Sequence, residues 1–180
     1  TFSAPKSVSL LAEVAGRVEV RQAHEEAVKS TLTYIEKELA ATREMRNGVV
    51  ETSQTGNLIV GMFRHNTSRD LDPQTHTHAV IMNATMRDDG QWRSLHNDAL
   101  YTDQKAIGAI YNSELASRLQ KAGYELTRTD DKGNFEIKGI SREQIEAFST
   151  RRAEIEKAKT LDKESVSLSV KKADLEADEE

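Results

Sequence analysis

The sequence has no cysteine, only two prolines and one tryptophan, and no long apolar run. Without cysteine the chain can form neither disulfides nor thiolate metal sites, which fits a cytoplasmic protein. No stretch approaches the roughly 18 consecutive apolar residues of a membrane-spanning helix, and no secretory signal opens the chain. We therefore expect a cytoplasmic location without membrane insertion. A Gly-rich phosphate loop, a nucleophile elbow and a HExxH motif are also lacking from the sequence.

Length and charge are consistent with one globular domain that is part of something longer. The 180 residues carry a net charge of −5, and residues 154–180 hold nine acids against five lysines. The rest is near neutral, so it can still present a basic face to nucleic acid. We predict a domain over residues 1–158 and, over 159–180, an acidic mobile tail or the start of a further segment. Because no initiator Met is present and Thr1 opens inside a strand-like motif, we expect an internal fragment.

Hydrophobic periodicity and capping signals predict four helices. They run from Pro5 to Gly16, from roughly Glu19 to Met45, from Thr102 or Asp103 to about Ala122, and from the capping box of Ser141 and Gln144 through Ile155. In the second, apolar residues recur at three- and four-residue steps, as in an amphipathic helix packed on a sheet. Asn47-Gly48 is interpreted as the signal that ends this helix.

Apolar and β-branched runs predict the strands. They cover the strand end at Thr1–Ser3, Val49 to Glu51, Asn57 to His65, His76 to Thr85, Gln91 to Leu95, and a hairpin of Tyr124 to Arg128 with Asn134 to Lys138. Consecutive strands joined by a polar loop and a turn favour antiparallel pairing over a doubly wound parallel sheet. The predicted fold is α/β of the α+β kind: a two-layer sandwich whose central antiparallel sheet carries helices on one face.

The histidines provide the main functional signal. Three of the five, His65, His76 and His78, fall within fourteen residues. Alternate residues of a strand share a face, so His76 and His78 should project together while Thr77 points away. His65 ends the preceding apolar run. If the two runs pair, all three imidazoles converge at one end of the sheet.

Three neutral imidazoles would bind a divalent cation and leave coordination positions open for substrate or water, as catalytic sites do. By ligand type the ion could be Zn, Mn, Ni or Co, because Mg generally prefers oxygen. Such an ion polarises a phosphoryl or carbonyl oxygen, or lowers the pKa of a bound water. Spacing alone leaves the alternative open that His76 and His78 are ordinary strand residues that meet solvent or form hydrogen bonds.

The remaining polar residues give weaker signals. His24 and His96 are interpreted as structural or solvent-exposed, and the four tyrosines, Tyr34, Tyr101, Tyr111 and Tyr124, as packing or boundary residues, none of which is singled out as a nucleophile. Arg64 and Arg69 flank the first histidine of the cluster, and Arg87 and Arg93 bracket the next turn. Guanidinium groups around a metal site would suit a phosphodiester substrate.

Several motifs in the same order resemble the conjugative relaxases of the MobF class, the TrwC/TraI type. They are Thr1-Phe2-Ser3-Ala4-Pro5-Lys6-Ser7-Val8-Ser9, Thr55-Gly56-Asn57-Leu58, His65-Asn66-Thr67-Ser68-Arg69-Asp70, Pro73-Gln74, His76-Thr77-His78-Ala79-Val80, Gly90-Gln91-Trp92-Arg93-Ser94-Leu95, Gly123-Tyr124 and Glu146-Ala147-Phe148-Ser149. The resemblance spans about residues 1–155 and implies the sheet of the HUH relaxases.

The activity implied by the resemblance is metal-dependent nicking of one DNA strand at a plasmid origin of transfer, through a 5′-phosphotyrosine link. His65, His76 and His78 match the metal-ligand positions, and the cofactor would be a divalent ion (Mg, Mn, Zn or Ni). Arg69 matches a position that contacts single-stranded DNA, with Arg64 and Lys6 as weaker expectations for phosphate contact. The family's nucleophilic tyrosines and a catalytic aspartate lie upstream of the position of Thr1. We therefore predict no catalytic nucleophile within this chain, and no nicking by it alone.

Partners implied by the resemblance are single-stranded DNA at an origin of transfer, a fused helicase module, and relaxosome and secretion-system proteins. Three alternatives stay open. The chain could be a DNA-binding or structural remnant without catalysis, or a replication-initiator HUH nuclease, which the Thr-Phe-Ser-Ala-Pro-Lys-Ser signature disfavours. It could also be a three-histidine hydrolase that acts on small molecules.

Overall fold

A computed structural model describes residues 1–150 together with residues 154 and 157, with the side chain of Arg46 left out. Within this part of the chain, the strands are β1 (Phe2–Ser3), β2 (Ala41–Arg46), β3 (Val49–Gln54), β4 (Val60–Thr67), β5 (Pro73–Ile81), β6 (Thr85–Met86), β7 (Trp92–Arg93), β8 (Leu126–Arg128) and β9 (Phe135–Ile137). The helices are α1 (Lys6–Ser9), α2 (Val18–Leu39), α3 (Asp98–Thr102), α4 (Gln104–Lys121) and α5 (Arg142–Ala147), and a π-helical turn (Leu10–Val14) extends α1.

The central sheet has three antiparallel strands in the order β1-β5-β4. Three separate two-stranded ribbons pair β2 with β3, β6 with β7, and β8 with β9. The predicted α+β class with an antiparallel sheet is therefore confirmed, although Val49 to Glu51 lies in a ribbon apart from the histidine strands.

Helices α2 and α4 form the second layer and bury their shared apolar face. The core consists mainly of side chains from these helices, joined by Phe2 and by the β8–β9 hairpin: Val20, Ala27, Val28, Leu32, Ile35, Ile107, Tyr111, Leu115, Leu119, Phe135 and Ile137. On the reverse face of β5, Thr75 and Thr77 are buried against the helical layer, whereas His78 is exposed on the other face. Alternation along this strand thus separates a helix-facing side from an open side.

One helix prediction is wrong. The helix predicted to reach Met45 ends at Leu39, and Ala41–Arg46 forms β2 instead. Asn47 and Gly48 have φ values of 52° and 80°, the two left-handed residues of a two-residue hairpin turn. These residues join β2 to β3 and do not end a helix. The good helix formers in this segment are overridden because its backbone groups pair with β3 along six residues.

The last predicted helix begins where the sequence indicates but ends earlier than predicted. The capping box at Ser141 is present: Ser141 Oγ accepts from Gln144 N at 3.2 Å, and Gln144 Oε1 accepts from Ser141 N at 2.8 Å. The helix it opens ends at Ala147, short of Phe148. Ile155 and the predicted tail over 159–180 lie outside the described residues, so the predicted boundary at 158 stays a prediction.

Candidate metal centre

The three clustered histidines meet on the open face of the central sheet. In the antiparallel register of β4 and β5, His65 lies directly opposite His76, and Phe63 lies opposite His78. Residues opposite each other in a sheet share a face, so the three imidazoles project to the same side. Their ring centres are 5.0 to 5.2 Å apart. The structure thus brings together the three residues that the spacing selected.

Two of these rings are oriented by hydrogen bonds through Nδ1. His76 Nδ1 lies 2.9 Å from the carbonyl oxygen of Gln74, and His78 Nδ1 lies 2.9 Å from Thr1 Oγ1. Because a carbonyl can only accept, His76 carries its proton on Nδ1 and leaves the Nε2 lone pair free. Metal-binding histidines are commonly oriented in this way, with the second ring nitrogen bonded to a carbonyl or carboxylate.

The separation of the ring centres suits three ligands of one ion. An ion about 2.1 Å from each Nε2 lies about 3.2 Å from each ring centre, so rings at tetrahedral angles have centres about 5.2 Å apart. The donor atoms are not yet converged: within residues 1–150, 154 and 157, no group of three or more His, Asp or Glu side chains has ready ligand geometry. His65 and His76 stack with 18° between their planes.

The surroundings of His78 favour its neutral form. The pKa of His78 is lowered, first by desolvation and then by the charge that His76 and His65 carry when protonated. A neutral imidazole is the form that binds a metal ion. The lowered pKa therefore favours the form of His78 that can act as a ligand.

The three predicted DNA-contacting cations lie in different surroundings. Arg69 is exposed in the tight turn between β4 and β5, in which Ser68 Oγ accepts from the backbone N–H groups of Asp70 and Asp72. Lys6 is half-buried near the end of that turn and donates to the carbonyl of Pro73 at 3.0 Å. Desolvation lowers the Lys6 pKa. Both residues stay predictions as phosphate contacts.

Arg64 lies on the other side of the sheet. It is opposite Thr77 in the register and therefore points toward the helices. Its guanidinium forms an ion pair with Glu25 of α2 at 2.7 Å. Arg64 is thus separated from the imidazoles by the sheet itself, which makes it the weakest of the three predicted contacts.

Behind the histidine strand lies a buried polar group that the sequence pattern did not single out. His24 of α2 is fully buried, and its Nε2 lies 2.9 Å from Thr77 Oγ1. Its Nδ1 lies 2.7 Å from the Tyr111 hydroxyl. The interpretation of His24 as structural is consistent with this arrangement. Its partners are 53 and 87 residues away, and the only sequence signal for them was the Thr-His-Thr-His alternation.

The four tyrosines, all predicted to be packing or boundary residues, lie in two kinds of surroundings. Tyr111 is buried in the core, and Tyr124 donates to Glu19 Oε1 at 2.8 Å. Tyr34 and Tyr101 are exposed, with 38% and 71% of their surface accessible. None of the four forms a hydrogen bond or ring contact with the histidine cluster among the contacts of the described residues.

Comparisons with known proteins place these features in one family. The family model of the TrwC relaxase matches residues 1–177. Two forms of the multifunctional conjugation protein TraI, one of Escherichia coli and one of its strain K12, are 41% and 40% identical to the chain over 167 residues. Each alignment covers 88% of this chain and 9% of the relative. The chain thus spans about a tenth of the length of these relatives.

Solved structures give the same result. TrwC complexed with a 27-mer DNA that comprises the recognition hairpin and the cleavage site matches with a TM-score of 0.85 at 51% identity, covering 89% of this chain and 56% of that chain. A metal-bound structure of TrwC with OriT DNA matches with a TM-score of 0.85 at 50% identity, covering 89% and 55%. A copper-bound TrwC complex matches with a TM-score of 0.83 at 51% identity, covering 87% and 53%. The chain belongs to the TrwC relaxase family.

Proposed function

We propose that this chain forms the metal-binding part of the active centre of a conjugative DNA relaxase, a strand transferase that nicks plasmid origin-of-transfer DNA through a 5′-phosphotyrosine link. The observation that carries the proposal is the cluster of His65, His76 and His78 on the open face of the sheet. Relatives of this family have been solved both with origin DNA and with metal. The attacking tyrosine and the catalytic aspartate would come from outside this chain.

The three imidazoles would hold one divalent ion (Mg, Mn, Zn or Ni) through their Nε2 atoms. The Gln74 carbonyl fixes the His76 ring with its Nε2 lone pair outward, and Thr1 holds the His78 ring. A bound divalent ion would neutralise charge on the phosphate oxygens and hold the phosphorus for in-line attack. With three protein ligands, coordination positions stay open for those oxygens.

The surface around the cluster suits single-stranded DNA. Phe63 is directly opposite His78 on the same face and 56% exposed, and Val80 and Met82 extend this apolar strip. Exposed aromatic rings beside a phosphate-binding site stack on unpaired bases. Arg69, in the exposed turn, would contact the phosphate backbone. Lys6 would contribute a second positive charge that is less accessible, because its side chain is half-buried.

The wider assignments are part of the same proposal. The partners would be single-stranded DNA at an origin of transfer, a fused helicase module, and relaxosome and secretion-system proteins, in the bacterial cytoplasm. Among the described residues, no helix is long and apolar enough to cross a membrane.

Calorimetric titration with Mn²⁺ and with Ni²⁺ tests the metal site. The wild-type chain should release or absorb heat on binding, and His78→Ala should weaken binding by at least about tenfold because one of three ligands is lost. His96→Ala is the matched control, since His96 lies outside the cluster, 3.8 Å from Asp98, and should leave the affinity unchanged. Absence of heat in the wild type would reject the metal site and favour a DNA-binding remnant.

Binding to an oligonucleotide that carries an origin hairpin tests the substrate. Fluorescence anisotropy should show binding that weakens with added salt, as phosphate contacts require. Salt-insensitive or absent binding would favour a hydrolase that acts on small molecules. The chain alone should not nick the oligonucleotide; nicking that is lost in Tyr101→Phe, the most exposed tyrosine, would contradict a nucleophile outside the chain.

A further inference from the structure

Strand β5 carries two chemically different faces. His76 and His78 project to the open side, while Thr75 and Thr77 are 0% and 4% exposed on the helix side. A buried strand face in a sheet that packs on helices is usually apolar. Here the two most buried positions are hydroxyl-bearing side chains, each bonded to a polar group of the helical layer.

Both threonines are held by side chains from the N-terminal helical segments. Thr75 Oγ1 donates to Glu13 Oε1 at 2.9 Å, and Thr75 N donates to Ser9 Oγ at 3.0 Å. Thr77 Oγ1 lies 2.9 Å from His24 Nε2. Because Thr77 lies between His76 and His78 in sequence, the position of its backbone determines from where both imidazole side chains project.

His24 is itself fixed from the far side. Tyr111 of α4 lies 2.7 Å from His24 Nδ1 and meets its ring edge to face, with 84° between the planes. Within the described part of the chain, no buried side-chain nitrogen or oxygen lacks a partner, so this chain of contacts is fully satisfied. Satisfied buried polar networks are rigid and specify one arrangement of the elements that they join.

We propose that His24 is a positioning residue for the histidine cluster: held by Tyr111, it bonds Thr77 and thereby fixes the register and rotation of β5, and with them the spacing of His76 and His78. The proposal rests on the proposed metal site. A slip of β5 by one residue would turn both histidines toward the helices and both threonines toward solvent, because side chains alternate with a period of two.

The first test compares Ni²⁺ affinity and the visible spectrum of bound Co²⁺ in matched variants. His24→Leu should weaken Ni²⁺ binding by about tenfold, the lower end of the loss seen when a group bonded directly to a ligand is removed, because His24 acts on the ligands through Thr77. It should also alter the Co²⁺ spectrum. Val20→Ala is the control, because Val20 is also fully buried and lies one turn earlier on α2. It should lower stability in urea without changing affinity or spectrum, while His24→Gln, which keeps a donor, should restore part of the affinity.

Thr77→Val removes the same hydrogen bond by changing the other partner, and it replaces His24→Leu in the test if that variant does not fold. It should reproduce the effects of His24→Leu. The double variant should bind Ni²⁺ no more weakly than either single variant. Equal effects of His24→Leu and Val20→Ala, or unchanged metal binding in both His24→Leu and Thr77→Val, would overturn the positioning role.

A measurement on the metal-free protein tests the positioning role of His24 separately from the proposed metal site. In the metal-free protein, the ring ¹H–¹⁵N signals of His76 and His78 should shift in His24→Leu and stay in place in Val20→Ala. If the wild type binds no metal but these signals shift as expected, the metal proposal fails and the positioning role stands. Signals that do not respond to His24→Leu would refute the positioning role whatever the metal result.

Discussion

Lowering the pH is expected to destabilise this fold through His24, a residue outside the proposed ligand set. Burial lowers the pKa of His24 from 6.5 to about 4, and the positive charges of Arg64 and His76 add to the effect. In the unfolded chain the same imidazole would titrate near its ordinary value of about 6.5. Between these two values the unfolded state binds more protons than the folded state, so stability falls as the pH falls.

The magnitude follows from the difference between the two pKa values. Each pH unit of difference corresponds to about 1.4 kcal/mol, so a native pKa of about 4 makes the loss about 3 kcal/mol in total. The loss begins as the pH falls through 6.5 and is complete below the native pKa of about 4. That is a substantial part of the roughly 5–15 kcal/mol that stabilises a typical domain.

Urea unfolding in the presence of a chelator measures this effect. The free energy of unfolding is determined at several pH values from about 7 down to about 4 for the wild type and for His24→Gln, which cannot titrate. Carboxylates and the other histidines contribute equally to both proteins. The wild type should therefore lose about 3 kcal/mol more than His24→Gln over this range.

Two parallel stability curves would refute this reasoning. They would mean that the pKa of His24 is the same in the folded and the unfolded protein, so that burial and its bonds to Thr77 and Tyr111 do not lower it as described.

Two further tests use substitutions at the predicted DNA contacts and in the turn that joins β2 to β3. Arg69→Ala should weaken binding of single-stranded DNA and reduce the slope of log affinity against log salt concentration by about one. Arg64→Ala should have a much smaller effect, because Arg64 is paired with Glu25 on the helix side of the sheet. Fluorescence anisotropy over a salt series compares the two variants, and equal losses of affinity would contradict this assignment. Gly48→Ala should lower the free energy of unfolding in urea by about 1 kcal/mol, because φ at Gly48 is 80° and an alanine there would be strained. No atom lies within 4 Å of an added Cβ, so only backbone strain contributes. An unchanged stability would mean that the turn adopts another conformation.

Convergence of the three histidines was predictable because it needs only local information. The period of two in a strand places His76 and His78 on one face, and the polar connection before them is too short for a parallel crossover, which makes antiparallel pairing with the strand of His65 the natural arrangement. The same period would have placed Arg64 on the opposite face from His65, its immediate neighbour. Its assignment as a DNA contact followed from nearness in sequence, without regard to the face on which the side chain lies.

The segment from Ala41 to Arg46 shows where local reasoning was insufficient. Its residues favour a helix, and Asn-Gly can end a helix or form a hairpin turn. The choice is made by β3, whose backbone pairs with this segment from Gln54 back to Val49. Partners of this kind are not visible in the segment's own composition. The same holds for His24, whose hydrogen-bond partners come from β5 and α4.

The polar contacts behind β5 explain how a strand with few large apolar residues can occupy the centre of the sheet. Only Val80 and Ile81 at its end are large aliphatic residues, and Val80 is 59% exposed. Apolar burial therefore gives this strand little preference for one register. Each hydrogen bond to Thr75 and Thr77 contributes about 0.5–1.5 kcal/mol, and a slipped register would break both. The buried Nε2 of His24 would then lose its partner, at a cost of about 1–3 kcal/mol, whereas Glu13 would keep its ion pair with Arg21. We therefore expect the register, and hence the side to which the histidines point, to depend on these hydrogen bonds as well as on the backbone pairing of β5 with β1 and β4. Substitutions that make this face more apolar should therefore allow the strand to slip, even where they add buried apolar surface.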